Sequence, residues 1–451
     1  MWTPDISGRR GPRYAVLADA IAEAARDGRL PPGTRLPPQR TLARLLGLNP
    51  TTVTRAYTLA AEMGVVTGEV GRGTYVRLLP DAGRVPWPGG GSAGTIDLAN
   101  NFPLPAAGPA ELERAFAALR GPAAADLLRY QPGGAHPAHL AAGAAWLAGL
   151  GLEVPAERLL LTAGAIHGVF LCLLALCRPG DRVLLEELAS PALIGICNTL
   201  GLRSEGLAMD GDGVLPDALE AALGRGAARA AVLVPTLQNP TLAVMPPGRR
   251  ADIVRVLRRH RVMAVEDDAY GALLPPGERP PPLAALAPEQ VCYVTSLSKA
   301  VAPGLRVGFA AVPPALAAAA LSALRVTTWM GSPLPGQVAA RWIADGTAER
   351  LAARQREAAA ARQDLARRHL PGAAFRAHPG ALHLWLRLPE PWRAEEFAAH
   401  LRARGVEVLP AGAMAVETGL RPAAVRVSLC NEPEERLARG LELVAGALAG
   451  R

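Results

Sequence analysis

The chain has 451 residues, half of them apolar, which is enough material for two or three folded units with large buried cores. Its five cysteines are scattered and include no C-x-x-C, so neither a disulfide framework nor a structural zinc site is indicated, and a reducing cytoplasm is expected. The formal charge is +8, with 48 lysines and arginines against 40 acids, and Lys299 is the only lysine among those basic residues.

Charge is concentrated at the N-terminus. Residues 1–80 hold eleven arginines and six acids, leaving three of the formal +8 for the remaining 371 residues. A basic head on a near-neutral body points to a polyanion as the partner of the head. Asp19 and Glu23 interrupt what would be the apolar part of an export signal, and none is expected. The longest apolar run, Gly168 to Cys177, is about half of what a membrane span needs, so no membrane association is expected.

In chain order, Tyr14, Leu17, Ile21 and Ala24 recur at helical spacing before Gly28 to Pro38 breaks the chain into turns. Two short helices are predicted next, Gln39–Leu46 and Thr51–Met63. Asn49 is placed to cap the second, and Pro50 suits a first turn in which no amide donor is required. Val65-Val66 and Thr74-Tyr75-Val76, on either side of the Gly-Arg-Gly turn at 71–73, read as a hairpin. Helix, helix-turn-helix, hairpin is the winged-helix order, assigned to residues 1–79. Residues 80–95 read as a flexible linker, rich in Pro, Gly and Ser from Val85 to Thr95.

Beyond the linker, short apolar runs alternate with helical patterns. Leu159–Leu161, Arg182–Leu185, Ala231–Val234, Met263–Val265, Cys292–Thr295 and Arg306–Ala311 are the expected strands. Near-continuous apolar strands separated by helices predict an α/β fold, a mixed and mainly parallel sheet covered on both faces, over 96–370. A bend at Pro371–Pro379 introduces a smaller α+β region over 371–451. Its expected order is a strand at Ala381–Leu388, two helical stretches and a strand at Ala424–Leu429.

Lys299 stands in Ser296-Leu297-Ser298-Lys299, directly after an expected strand, with Gly304-Leu305-Arg306-Val307-Gly308 following. An amine can lose its proton when desolvated and attack a carbonyl, which arginine cannot do, and strand ends of α/β sheets are where ligands bind. This spacing resembles the S-x-S-K…P-G-L-R-x-G signature of the aminotransferase branch of fold-type I pyridoxal 5'-phosphate enzymes. The resemblance implies that Lys299 forms the internal aldimine and that Ser296, Ser298 and Arg306 contact the cofactor phosphate. Glu266-Asp267-Asp268-Ala269-Tyr270 is similar to the family's D-x-x-Y. Asp267 would then face the pyridine nitrogen, with Asp268 as its rival, and Tyr270 would donate to the ring's phenolic oxygen. The turn Pro235 to Pro240 resembles the family's Q-N-P-T turn, which would make Asn239 that oxygen's second partner. The backbone amides of Gly164, Ala165 and Ile166, opening a helix, would cradle the phosphate.

By the same resemblance Tyr130 reaches the phosphate of a neighbouring subunit, implying a homodimer, and Arg426 grips an α-carboxylate. Two positions depart from the pattern. Ile166 stands where Gln is usual, and Ser190 where an aromatic commonly stacks on the ring. His167 is one candidate to cover the ring, or else a histidine satisfied within the core.

Residues 12–77 resemble a GntR-type winged helix. The resemblance places Arg40, Thr51, Thr52 and Arg55 near double-stranded DNA and Arg72 in the wing, while Pro50 stands where an arginine is usual. Head, linker and body together resemble the MocR family of regulators, which bind pyridoxal phosphate and respond to it or to an amino compound condensed with it. A working aminotransferase carrying a DNA-binding head is the other reading.

Overall fold

In a computed structural model, residues 2–4, 6, 12–26, 29–30, 34–62, 65–69, 73–76, 94–117, 119, 122–417, 420 and 422–450 are described. Residues 70–72, with Gly71 and Arg72 of the expected Gly-Arg-Gly turn at 71–73, and most of the expected linker lie outside them. The chain divides into two units, Met1–Val85 and Pro86–Arg451.

The first unit packs three helices, Arg13–Arg26, Gln39–Leu46 and Pro50–Glu62, against a hairpin of Val66–Glu69 and Gly73–Val76. Leu17, Ile21 and Ala24 are buried, as their helical spacing requires, among Leu42, Val53, Ala56 and Val76. Gly47 ends the second helix in the left-handed conformation at φ 63°, and the Leu48 amide donates back to Ala43 at 2.9 Å. Asn49 then caps the third helix, its Oδ1 accepting from the Thr51 amide at 3.0 Å and the Thr51 hydroxyl at 2.8 Å. A segment around Arg35 pairs with Tyr75 and extends the hairpin by a bridge.

The second unit holds a seven-stranded sheet. Its order is Leu159–Thr162, Gly308–Ala311, Val291–Ser296, Met263–Asp267, Ala230–Leu233, Arg182–Glu186, Arg203–Leu207. Only Gly308–Ala311 runs against its neighbours. Alternate residues feed two cores. Leu184, Ala231, Ala264 and Tyr293 enter one, and Leu185, Val232, Val265 and Val294 the other. Burial on both faces explains why these strands read as continuous apolar runs.

A smaller five-stranded sheet is ordered Phe375–Arg376, His383–Arg387, Ala424–Ser428, Val406–Pro410, Ile96–Leu98. Three details depart from the sequence reading. Arg306 is outside the strand that starts at Gly308, occupying a left-handed turn at φ 51° after Pro303–Leu305. Between 388 and 424 the described residues hold the helix Ala394–Arg402 and a short 3-10 helix, Ala411–Met414, and between these two helical stretches lies a strand, Val406–Pro410, that the sequence reading lacks. Ile96–Leu98, expected to begin the larger region, pairs in parallel with Val406–Pro410 in the smaller one. The long helix Thr347–His369 ties the smaller sheet down. Gln363 donates to the Ala381 and His383 carbonyls, and Arg362 to those of Leu429 and Glu432. Among the described residues no helix is long and apolar enough to cross a membrane.

Candidate functional site

The parallel strands of the large sheet deliver loops to one edge, their C-terminal ends, where Thr162, Glu186, Asp267 and Ser296 are final strand residues. Lys299 follows three residues after Ser296. Its Nζ donates to the Asn101 carbonyl at 2.5 Å and lies 5.7 Å from the centre of the Tyr270 ring. Burial, reinforced by Arg426 and Arg306, lowers the Lys299 amine from 10.5 to about 8. The same burial raises the Asp267 carboxyl to about 7, against the opposing effects of the Ala269 amide that donates to it and of Lys299.

The rival carboxylate is otherwise engaged. Asp268 accepts the Tyr293 hydroxyl, and it packs so tightly under Gly271 that a Cβ there would lie 2.0 Å from its Oδ2. Asp267 is therefore the carboxylate of the two that makes no side-chain hydrogen bond among the described residues, and it feels the charge of Lys299.

Tyr270 is buried, and its hydroxyl oxygen accepts from Asn101 Nδ2 at 3.1 Å and Asn239 Nδ2 at 3.4 Å. With both donors aimed at that oxygen, the tyrosine proton is left to be donated elsewhere. Asn239 Oδ1 in turn accepts from Arg426 Nη1 at 3.0 Å, while Arg426 Nη2 donates to the Ala99 carbonyl at 2.5 Å. Burial brings the Arg426 guanidinium down to about 10, and its Nε has no partner among the described residues.

A second group of expected residues gathers at the start of the helix Ala165–Leu176. Gly164 precedes it at φ 90°, and a Cβ there would lie 2.7 Å from Arg306 Nη2. Arg306 donates through Nη1 to Ser298 Oγ at 3.1 Å and through Nη2 to the Ala163 carbonyl at 3.0 Å. Ser296 Oγ accepts from the Ser298 amide at 3.4 Å. A helix N-terminus, a guanidinium with no carboxylate partner among the described residues and two hydroxyls are an arrangement that could hold an anion. Ile166 leaves its side chain half exposed.

Ser190 does not face a ring-binding role. Its hydroxyl accepts from the Leu193 amide at 3.4 Å and caps the helix Pro191–Thr199. His167 is fixed as well, its Nδ1 accepting from the Ala163 amide at 3.0 Å and its Nε2 lying 3.1 Å from Thr327 Oγ1. Tyr130 makes no hydrogen bond to the Lys299 group among the described residues. It is exposed and packs edge-on against Trp329 with ring centres 6.0 Å apart.

Several supporting residues carry no signal in the sequence pattern. Gln238 reaches Glu186 Oε2 at 2.9 Å and the Leu188 carbonyl at 2.6 Å, and its own oxygen accepts from Thr241. Arg250 is fully buried, donating to the Pro235 carbonyl and Thr236 Oγ1 and pairing with Glu266 at 3.3 Å. Together they fasten the turn that presents Asn239, where the Asn239-Pro240 peptide is cis. Burial raises Glu186 to about 8 and Glu266 to about 7.

In the first unit, Arg40, Thr51 and Arg55 are exposed and Thr52 half-buried. The Arg55 guanidinium lies 4.3 Å over the Tyr14 ring, and the Thr51 hydroxyl is turned to Asn49.

Residues 93–444 match the family "Aminotransferase class I and II", and residues 13–76 match "Bacterial regulatory proteins, gntR family". The chain is 29% identical to the uncharacterized HTH-type transcriptional regulator YdeF of Bacillus subtilis, over 98% of this chain and 96% of the relative. It is also 29% identical to the 2-aminoadipate transaminase of Thermus thermophilus, over 79% of this chain and 91% of that one. Among solved structures it is similar to LysN, the α-aminoadipate aminotransferase of Thermus thermophilus complexed with N-(5'-phosphopyridoxyl)-L-leucine. That match has a TM-score of 0.71 and 26% identity, over 79% of this chain and 93% of the other. The Pyrococcus horikoshii kynurenine aminotransferase shares the fold, with a TM-score of 0.74 and 21% identity over 80% and 92% of the two chains.

Proposed function

The chain belongs to the aminotransferase class I and II family and carries a gntR-family domain at its N-terminus; from that premise we propose a MocR-type transcription regulator that senses pyridoxal phosphate, or an amino compound joined to it, at Lys299. The observation that carries this reading is the co-occurrence of both halves along one chain, matched end to end by a relative named as an HTH-type transcriptional regulator.

Pyridoxal phosphate supplies an aldehyde that condenses with amines and a ring that withdraws electrons. The residues at the sheet edge fit such a group. Lys299 offers an amine that burial brings from 10.5 to about 8, so that it loses its proton far closer to neutral pH than an exposed lysine does. Asp267 would hold a proton on the pyridine nitrogen, and Tyr270, with its oxygen already supplied by Asn101 and Asn239, would donate its own proton to the phenolic oxygen. Gly164, Ala165, Ile166, Ser296, Ser298 and Arg306 would hold the phosphate, for which Gly164 keeps space beside the guanidinium. Arg426, with its unpartnered Nε, would take a ligand carboxylate. Tyr130, which is exposed, would complete the cradle of the other subunit in a homodimer.

Arg40, Thr51, Thr52, Arg55 and Arg72 are the proposed contacts to double-stranded DNA. A ligand regulates only by binding two conformations with different affinity, so head placement must differ between the ligated and free dimer. The test is binding of the purified dimer, with and without pyridoxal phosphate, to DNA from upstream of its own gene. Cofactor-dependent retardation of that DNA is the expected result, and failure to bind it in either state removes the reading.

The completeness of the Lys299 group favours a second reading, a working transaminase, in line with the similarity to the 2-aminoadipate transaminase. Lys299 would then also move a proton at the substrate α-carbon. Keto-acid release over many turnovers supports this reading, whereas a single conversion without turnover supports the sensor.

A further inference from the structure

Asn101 reaches the Lys299 group from the start of the second unit, three residues beyond the strand Ile96–Leu98. Its carbonyl and its carboxamide nitrogen are both engaged. Its carbonyl accepts the Lys299 amine at 2.5 Å, and its Nδ2 lies 3.1 Å from the Tyr270 hydroxyl and 3.0 Å from His383 Nδ1. One side-chain atom is left over. Asn101 Oδ1 is buried and has no hydrogen-bond partner among the described residues, on a side chain that is only 7% exposed.

His383 decides which way the carboxamide faces. Its Nε2 lies 3.0 Å from the Pro240 carbonyl, an acceptor, so Nε2 must carry the hydrogen. Burial keeps the ring neutral by pulling its pKa down to about 3. Nδ1 is then an acceptor and requires an N–H from Asn101, as does the Tyr270 oxygen if its own proton is to be donated elsewhere. Turning the amide over would set an oxygen against His383 Nδ1. The orphaned Oδ1 is thus held in place by its neighbours. A buried acceptor fixed in this way and left unmade is costly, and it discriminates strongly between a ligand that can satisfy it and one that cannot.

We infer that Asn101 is a specificity-determining residue, its Oδ1 accepting a hydrogen bond from a hydroxyl or N–H on the side chain of the amino compound bound at Lys299, with His383 as the residue that orients it. The ligand class is therefore an amino acid bearing a second donor beyond its reacting amine, rather than one with a purely apolar side chain. This inference rests on the cofactor reading above.

The test uses the full-length protein loaded with pyridoxal phosphate and titrated with L-amino acids while the visible absorption is followed. Three matched pairs place a hydroxyl at increasing reach: serine against alanine, homoserine against 2-aminobutyrate, and 5-hydroxynorvaline against norvaline. The wild type is expected to prefer the hydroxylated member of at least one pair by roughly tenfold. In Asn101→Leu that ratio falls to about one, and in His383→Phe, where the amide can turn, it shrinks. Each ratio is taken within one protein, so a general loss of affinity does not imitate the effect. Ratios near one for all three pairs in the wild type overturn the inference and need no variant to do so. Absence of any visible band on adding pyridoxal phosphate would instead remove the cofactor reading itself, and this inference with it.

Discussion

The residues expected to touch DNA and those expected to surround Lys299 are positioned in opposite ways. Around Lys299, the residues Tyr270, Asn239 and Arg426 are joined to one another: Arg426 holds Asn239, Asn239 and Asn101 hold Tyr270, and Asn101 holds the lysine. In the head, Arg40, Thr51 and Arg55 are exposed, and the groups that would complete them belong to another molecule. A buried constellation fixes its own geometry because every unpaired polar atom is expensive, whereas a surface constellation is defined by charge and reach. Single changes should therefore act all-or-none in the first and by increments in the second.

The largest expected effect is at the amine. Lys299→Arg keeps a cation but has no nucleophile, so pyridoxal phosphate should produce no visible band attributable to the protein at any pH. The wild type offers the complementary measurement. Only the unprotonated amine attacks, so the rate of cofactor capture should rise with pH through about 8, where burial has placed the group, instead of continuing up to the usual 10.5. A rate that keeps rising toward the higher value would show that the pocket does not lower the amine, and the contrast with a surface lysine would be lost.

An intermediate effect is expected in the head. Arg55 is carried over the Tyr14 ring at 4.3 Å, which orients an otherwise free side chain. Arg55→Ala should weaken DNA binding about tenfold across sequences and lower the slope of log affinity against log salt by about one, as loss of a phosphate contact requires. Tyr14→Leu keeps the charge and loses only its support, so a smaller drop with an unchanged salt slope is expected. If Arg55→Ala relaxes sequence preference instead, the residue reads a base and the head is more specific than its exposure suggests.

The same contrast explains what could be read from the sequence. The strand ends carrying Asp267, Ser296 and Thr162 were legible because strands buried on both faces are continuous apolar runs, and the loops that follow them are placed by the sheet. Ile96–Leu98 gave no such signal. It is three residues long with a polar centre, and it is a strand because Val406–Pro410 pairs with it some 300 residues later. Asn101 and His383 were missed for a related reason: one follows that short strand, the other belongs to the smaller sheet, and neither stands in a local pattern. Arg250 carries no signal among 47 arginines, although its burial against Glu266 helps fasten the Asn239 turn. Asn49 was visible because capping is local.

That local cap gives the smallest and cleanest test. Asn49 Oδ1 takes both the amide and the hydroxyl of Thr51, so it closes the first turn of Pro50–Glu62 and holds a proposed DNA contact at once. Asn49→Ala should cost about 1 kcal/mol, confined to the helix start, and Asn49→Asp should recover most of it because a carboxylate caps as well as an amide oxygen. Hydrogen exchange checks both. The amides of the first turn should exchange several-fold faster in Asn49→Ala while those of Val291–Ser296 are unchanged. If the alanine variant binds DNA as tightly as the wild type despite the faster exchange, Thr51 makes no contact that depends on its orientation. The head would then recognise DNA through its arginines, as a surface built on charge and reach rather than on mutual support.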